Sequence, residues 1–337
     1  MRLLHIVAAR PNFIKAAPVL EELSKVGIEN ILVHTNQHYD YKMSKIFFQE
    51  LEIPEPDYHL GIKSGTHGVQ TGTALIEIEK VLLEEKPDGI VVYGDVNSTL
   101  SGALAAAKLH IPVIHVEAGQ RSGDKLMPEE LNRIAVDHFS SKLYCVEPSA
   151  ISYLEREGLT TGKVVGNTAV DTLHKIIPTL KEKSIIGGYY IATLHRPFNV
   201  DNPDTLEVIL DRLELFDRKV IIPAHPRLEQ NIRKKYSNIQ FIQPLGYIDF
   251  ISYLYNSSGI VSDSGGVQCE ASVLGIPLIT LRPSTEHKLT LEYSNILVED
   301  SSTLEPSQFK TDFPSELPWI WDGKASERIA QDILNER

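Results

Sequence analysis

GIVVYGDVNSTLSGALAAAKLHIPVIHVEAGQRSGDKLMPEELNR, running from Gly89 to Arg133, is the stretch on which the reading of this chain turns. Its apolar run Ile90–Tyr93 has the unbroken hydrophobicity of a strand buried on both faces, and it stops at Gly94-Asp95. A small-residue helix, Leu100–Lys108, follows, and a second apolar run, Ile111–Val116, stops at Glu117. Pro128 then opens a helix whose first turn carries Glu129 and Glu130. The pattern strand, helix, strand predicts adjacent parallel strands with Asp95 and Glu117 at their carboxyl ends, where open α/β sheets build ligand crevices. Glu129, at a nearby helix start, points to the same crevice. Three carboxylates at one mouth of a sheet contribute little to stability and suit the movement of protons.

Working outward, the same grammar extends in both directions. Leu3–Ala9 is a first strand that ends at Arg10-Pro11, with a helix from Asn12 carrying Lys15. A dinucleotide-binding fold would place Gly-x-Gly-x-x-Gly there, and this chain does not, which counts against a nicotinamide enzyme. Arg10 and Lys15 at a helix entrance suit phosphate, although solvated helix-end charges explain them equally well. Asn30–Thr35 is a second strand, Ser64–Thr71 reads as a glycine-containing linker, and Ala74–Glu85 as a helix. Short strands at Lys142–Val146 and Lys163–Val165 lead to Gly166-Asn167-Thr168, a hinge into the second half.

That half repeats the pattern. Its apolar runs stop at His195-Arg196, His225, Gly246, Asp263-Ser264-Gly265-Gly266 and Arg282. The fold class is therefore α/β, with two Rossmann-like doubly wound domains facing across a cleft. The boundaries fall at 1–166 and 167–324, and the terminal helix 325–337 joins the first domain. The length of 337 residues fits two domains of about 150 each.

Composition narrows the function. A net charge of -12 with no basic stripe argues against nucleic acid. Cys145 and Cys269 are too few for a disulfide framework or a zinc site, which points to a reducing cytoplasm and no metal. Leu3–Ala9 is too short for a signal peptide, and no run is long enough to span a membrane.

Ser264-Gly265-Gly266 offers amides at a helix start to a diphosphate, and Glu270, about one turn on, suits ribose hydroxyls. An ordinary serine cap with Glu270 facing solvent accounts for the same residues. His195 and His225 close two strands and suit phosphate binding or acid catalysis; neither has metal-ligand spacing.

Arg10-Pro11 with Lys15, Gly94-Asp95, His115-Val116-Glu117-Ala118-Gly119, Pro128-Glu129-Glu130 with Asn132-Arg133, Gly166-Asn167-Thr168, His195-Arg196 and Asp263-Ser264-Gly265-Gly266 together resemble the non-hydrolysing UDP-N-acetylglucosamine 2-epimerases. The resemblance is collinear from Arg2 to Ile296, and Asp322-Gly323-Lys324-Ala325-Ser326 looks like the family's closing motif. It implies a GT-B architecture, a homodimer, no added cofactor, and a UDP-sugar substrate for surface polysaccharide synthesis. It also implies elimination of UDP to 2-acetamidoglucal followed by re-addition, with Asp95, Glu117 and Glu129 as the acid/base set. By the same resemblance His195 lies near the leaving diphosphate. Arg10, Lys15, Ser264 and Gly265 hold phosphate and Glu270 holds the ribose, and His225 and Gly266 are counted with them as substrate-binding residues.

The chain departs from the family at Pro197-Phe198, at Gln120, and at His287, where a titratable side chain replaces a permanent cation. If His287 meets the diphosphate, UDP affinity weakens as pH rises past neutrality. Some bacterial members need a second UDP-N-acetylglucosamine held by the loop after the second strand. Here that loop reads Gln37-His38-Tyr39-Asp40, where Asp40 repels a diphosphate, so the expectation is no activator and hyperbolic kinetics. Thr35–Leu60 also resembles the relatives that epimerise UDP-2,3-diacetamido-glucuronate. A GT-B glycosyltransferase and an inactive UDP-sugar-binding protein share the nucleotide half of the site but need no base near C2.

Overall fold

The computed structural model describes residues 1–36, 46–180, 188–224, 228 and 230–335. It divides into two compact units, Met1–Lys175 with Pro318–Arg337, and Ile176–Leu317. Each is built on one parallel sheet whose central strands are buried on both faces.

The first unit carries β1 (Arg2–Val7), β2 (Glu29–Asn36), β3 (Tyr58–Ile62), β4 (Gly89–Tyr93), β5 (Val113–Ala118), β6 (Lys142–Cys145) and β7 (Gly162–Val164). Their order in the sheet is β3-β2-β1-β4-β5-β6-β7. The order reverses direction between β1 and β4, which opens a crevice at their carboxyl ends. All five residues of β4 are buried, as are all six of β5. Against them lies the helix Asn97–Lys108, packed closely because Gly102 has no side chain; a Cβ there would overlap the Ile6 methyl.

The second unit repeats the plan with β8 (Tyr190–Thr193), β9 (Val220–Pro223), β10 (Ile239–Ile242), β11 (Gly259–Ser262), β12 (Leu278–Thr280) and β13 (Asn295–Leu297). Its order is β10-β9-β8-β11-β12-β13, so the reversal falls between β8 and β11. A core of Ile222, Val261, Ile279, Leu206 and Leu210 joins the sheet to its helices. The class is α/β and GT-B-like, with two Rossmann-like units.

Three local expectations differ from what is found. The Ser64–Thr71 stretch is not a linker throughout, because the helix begins at His67 and runs to Glu85. Tertiary bonds outweigh the glycines' poor propensity: Ser101 Oγ donates to the Thr71 carbonyl at 2.9 Å, and Asn97 Nδ2 donates to Gln70 Oε1 at 3.0 Å. β5 does not stop before Glu117 but runs through it to Ala118. The division between units falls after Lys175 rather than after Gly166. The helix Thr168–Leu180 starts on the first unit, where Thr172 Oγ1 donates to the Ile14 carbonyl at 2.7 Å. Its Asp171 caps the terminal helix Ala325–Leu334, accepting from the Ala325 and Ser326 amides at 3.1 and 2.6 Å.

Candidate active site

At the mouth of the first sheet a pocket of about 240 Å³ opens beside the β1–β4 reversal. Its lining includes Ala9 after β1, Lys63 after β3, His67 at a helix start, Asp95 after β4, and Glu129 and Asn132 from the helix Pro128–Phe139. Asp95 and Glu129 therefore share one pocket. Asp95 is fixed there by an ion pair to Arg133, while Asn132 Nδ2 donates to the Asp95 carbonyl at 2.8 Å. Arg133 also grips Glu130 at 2.6 Å, and Glu130 accepts from the Ser122 and Gly123 amides at 3.0 and 2.9 Å. The second glutamate of the Pro-Glu-Glu motif thus holds the preceding loop, leaving the first at the pocket.

Glu117 does not line that pocket; it is buried in an ion pair with Lys15. Its φ of +75° is unusual for a residue with a side chain, and the pairing of β5 with β6 shifts register between Val116 and Ala118. A bulge of this kind turns one side chain out of the pleat and costs roughly 1–3 kcal/mol of backbone strain. Gly94, at φ +62°, makes room for the pair, since a Cβ there would lie 3.2 Å from Lys15 Nζ and 3.6 Å from Glu117 Oε2. Burial works against the Lys15 ammonium. The charges of Glu117 and Asp95 outweigh it and hold the pKa above the usual lysine value. Lys15, read from sequence as a phosphate contact, is here the counter-charge of a carboxylate. Arg10 lies at the start of the helix Arg10–Lys25 with its guanidinium 5.2 Å from the centre of the Phe47 ring.

In the second unit the β8–β11 reversal brings His195 to Asp263. His195 Nδ1 lies 2.9 Å from Asp263 Oδ1, and the His195 side chain is about half exposed. Asp263 is fully buried and accepts from the His195 and Arg196 amides at 3.1 and 3.0 Å and from Asn199 Nδ2 at 3.0 Å. Burial alone would raise this carboxyl, but His195, Asn199 and the backbone bonds hold it below the usual carboxylate range. A group so placed fixes the imidazole's orientation and tautomer.

Ser264 is the N-cap of the helix Gly265–Leu274, and its amide donates to Ser262 Oγ at 3.0 Å. Gly265 is required by the close approach of Glu286, whose Oε1 would lie 2.7 Å from a Cβ. Gly266 faces open space and is exposed. Glu270 does not face solvent: it is buried, accepts from Tyr247 Oη at 2.9 Å, and burial raises its carboxyl to about 7. His287 is buried too, with Nδ1 3.6 Å from Cys269 Sγ and Nε2 4.0 Å from Glu286 Oε1, while Arg282 pairs with Glu286 at 2.7 Å. His225 and the loop Gln37-His38-Tyr39-Asp40 lie outside the described residues.

Two side chains here had no role assigned from sequence. Asp263 carries a readable signal, an aspartate closing the strand next to the one that ends at His195. Arg133 has only its place one turn beyond Glu129 and Glu130. Among the described residues no three His, Cys, Asp or Glu side chains converge as a metal site, and no helix is long and apolar enough to cross a membrane.

The sequence model of the UDP-N-acetylglucosamine 2-epimerase family matches residues 21–334. The UDP-N-acetylglucosamine 2-epimerase of Methanocaldococcus jannaschii is 43% identical over 98% of both chains. The UDP-2,3-diacetamido-2,3-dideoxy-D-glucuronate 2-epimerase of Pseudomonas aeruginosa is 41% identical over 98% of this chain and 99% of its own. A crystal structure of the M. jannaschii UDP-GlcNAc 2-epimerase in complex with UDP-GlcNAc and UDP superposes with a TM-score of 0.88 at 41% identity, covering 99% of this chain and 100% of that one. The carboxylate mouth of the first unit and the glycine-led helix of the second therefore sit in a chain that belongs to the UDP-N-acetylglucosamine 2-epimerase family of isomerases.

Proposed function

We propose that this chain interconverts UDP-N-acetylglucosamine and UDP-N-acetylmannosamine by inverting C2. The observation that carries this reading is the sharing of one pocket by Asp95 and Glu129, with Lys15 paired to Glu117 and within reach of the charge of Asp95. One carboxylate takes the C2 proton while UDP leaves C1 with its bonding electron pair, and a C1–C2 double bond forms, giving 2-acetamidoglucal. UDP then bonds again to C1 as a carboxylic acid delivers a proton to the opposite face of C2. Carriers on both faces are needed, and a cluster of three carboxylates supplies them.

With Nδ1 held by Asp263, His195 has Nε2 left to serve the leaving diphosphate. Arg10, Ser264, Gly265 and Gly266, with His225, take phosphate oxygens, and Glu270 takes the ribose hydroxyls. Buried free cysteines, Cys145 and Cys269, support a cytoplasmic setting, and the product would serve surface polysaccharide synthesis. Val69, Ile76 and Leu83, seven residues apart and exposed on the helix His67–Glu85, form an apolar stripe that suits a second copy of the chain in a homodimer. Light scattering of the purified protein reads that state directly.

A second reading has its own observation. Lys63 lines the Asp95–Glu129 pocket and has no ion-pair partner among the described residues, so it suits a sugar bearing a carboxylate, as in UDP-2,3-diacetamido-glucuronate. The test offers each UDP-sugar in heavy water and follows C2 by NMR. Deuterium at C2 with the manno epimer from UDP-N-acetylglucosamine supports the first reading, and exchange only with the uronate supports the second. Free sugar plus UDP, or no exchange with either, overturns both.

A further inference from the structure

We propose that Asp137, acting through His115 and Gly119, is a positioning residue that sets the spacing between Asp95 and Glu117. This rests on the assignment of those two carboxylates to proton transfer at C2. Asp137 sits in the helix Pro128–Phe139, is fully buried, and does not line the pocket, so it touches no substrate. Its Oδ1 lies 2.7 Å from His115 Nδ1, and its Oδ2 accepts from the Gly119 amide at 3.1 Å and from Arg121 at 2.7 Å.

His115 and Gly119 stand two residues before and two residues after Glu117. A single carboxylate therefore clamps both flanks of the bulge that forces Glu117 to positive φ. The clamp continues across the sheet, because His115 Nε2 lies 2.8 Å from the carbonyl oxygen of Gly94, the residue before Asp95. Both ring nitrogens of His115 thus face acceptors, Asp137 Oδ1 on one side and the Gly94 carbonyl on the other. Burial would raise Asp137, yet the bonds and charges of His115 and Arg121 hold it below the usual carboxylate range, so the clamp keeps its charge. Arg121 is anchored in turn by Glu157 at 2.6 Å. From Glu117 to Asp95 the fixed path runs strand, carboxylate, imidazole and carbonyl, with no exposed link.

Such a path pays for strain at one carboxylate by holding it in register with another. Loss of the clamp lets the bulge relax and moves Glu117 relative to the C2 proton, where a displacement of about 1 Å costs about a hundredfold. The test compares Asp137→Asn and His115→Gln with the wild-type protein, reading kcat, KM, UDP affinity, the thermal transition and C2 deuterium exchange.

The result expected is a fall in kcat of about ten- to a hundredfold, with exchange slowed in step, while KM and UDP affinity change less than about twofold. His115→Gln keeps one donor within reach of one acceptor and is the milder change, so it decides the matter if Asp137→Asn does not fold. Wild-type kcat in folded variants overturns the proposal. So does failure of both variants to fold, which would make the clamp a stability device. A wild-type protein that exchanges nothing at C2 sinks the functional reading itself, a different outcome from an active wild type with indifferent variants.

Discussion

The two units share the order of six strands and place their chemistry at the same topological point, yet the buried Glu117 of the first and the buried Glu270 of the second are treated in opposite ways. In the first, Asp95 and Glu117 each have a cation in contact, Arg133 and Lys15, and the strain at Glu117 is held by a buried clamp. In the second, Glu270 has only the Tyr247 hydroxyl among the described residues, and burial leaves its carboxyl at about 7. One unit has completed its electrostatics without substrate; the other has left a carboxylate to be completed by a ligand. The topology supplies the mouth, and the side chains decide whether it does chemistry or binds.

The largest effect that tests this contrast belongs to the first unit. Asp95→Asn, Glu117→Gln and Glu129→Gln should each lower turnover by about two orders of magnitude or more, while UDP affinity stays near the wild-type value. Steady-state kinetics with calorimetry checks both halves of the statement. Near-normal turnover in all three variants would make the carboxylates structural, and a parallel loss of UDP binding would erase the division of labour.

Next comes Asp263→Asn, which asks whether the second unit contributes more than affinity. It removes the charge and one of the two acceptor oxygens, so the bonds to the His195 ring and to the Arg196 amide and Asn199 can no longer all be kept. Turnover should fall by about tenfold or more with UDP affinity little altered. A variant that loses affinity instead, with turnover at saturation preserved, would make His195 a binding residue only.

Glu270→Ala should raise the dissociation constant for UDP by about tenfold, through loss of charge-assisted bonds to ribose hydroxyls. Saturated turnover should hardly move. Unchanged affinity by calorimetry would leave Glu270 as a buried partner of Tyr247 and nothing more.

How much of this was legible beforehand differs between fold and site. Strands such as Ile90–Tyr93 and Gly259–Ser262 announce themselves, because burial on both faces leaves an unbroken apolar run and a polar stop at the mouth of the sheet. Asp95, Ser264 and Gly265 were singled out from those stops, and Glu129 from the start of a helix. The partners of the stops were not. Lys15 reads as a helix-entrance cation until the sheet places it against Glu117. The positive φ of Glu117 has no sequence signal, since only a glycine would have advertised it. Asp137 lies in an ordinary amphipathic helix, and its link to His115 and Gly119 exists only once β5 and that helix are packed. His287 stands in a motif where the family has a permanent cation, and nothing in the sequence shows that the fold buries it with Nδ1 3.6 Å from Cys269 Sγ.

The smallest effect is also the one whose sign separates two readings of the nucleotide half. Folding raises Glu270 from 4.5 to about 7, so between those values the folded chain holds a proton that the unfolded chain releases. Stability therefore falls as pH rises through that window, which thermal unfolding across it can follow. Ribose hydroxyls donate, and they need the ionised carboxylate to accept them, so binding expels the proton below about pH 7 and affinity strengthens as pH rises. UDP-N-acetylglucosamine is the fitting probe, because its diphosphate is esterified at both ends and does not titrate there, and the Glu129→Gln background keeps it from being turned over. Between about pH 6 and about pH 8 the affinity should improve by about five- to tenfold, with proton release visible as a dependence of binding heat on buffer, and Glu270→Gln should flatten the profile. A diphosphate contact through His287 predicts the reverse slope, because that cation is lost as pH rises. Affinity that weakens toward pH 8 would return His287 to the diphosphate and leave Glu270 protonated beside Tyr247 in the complex.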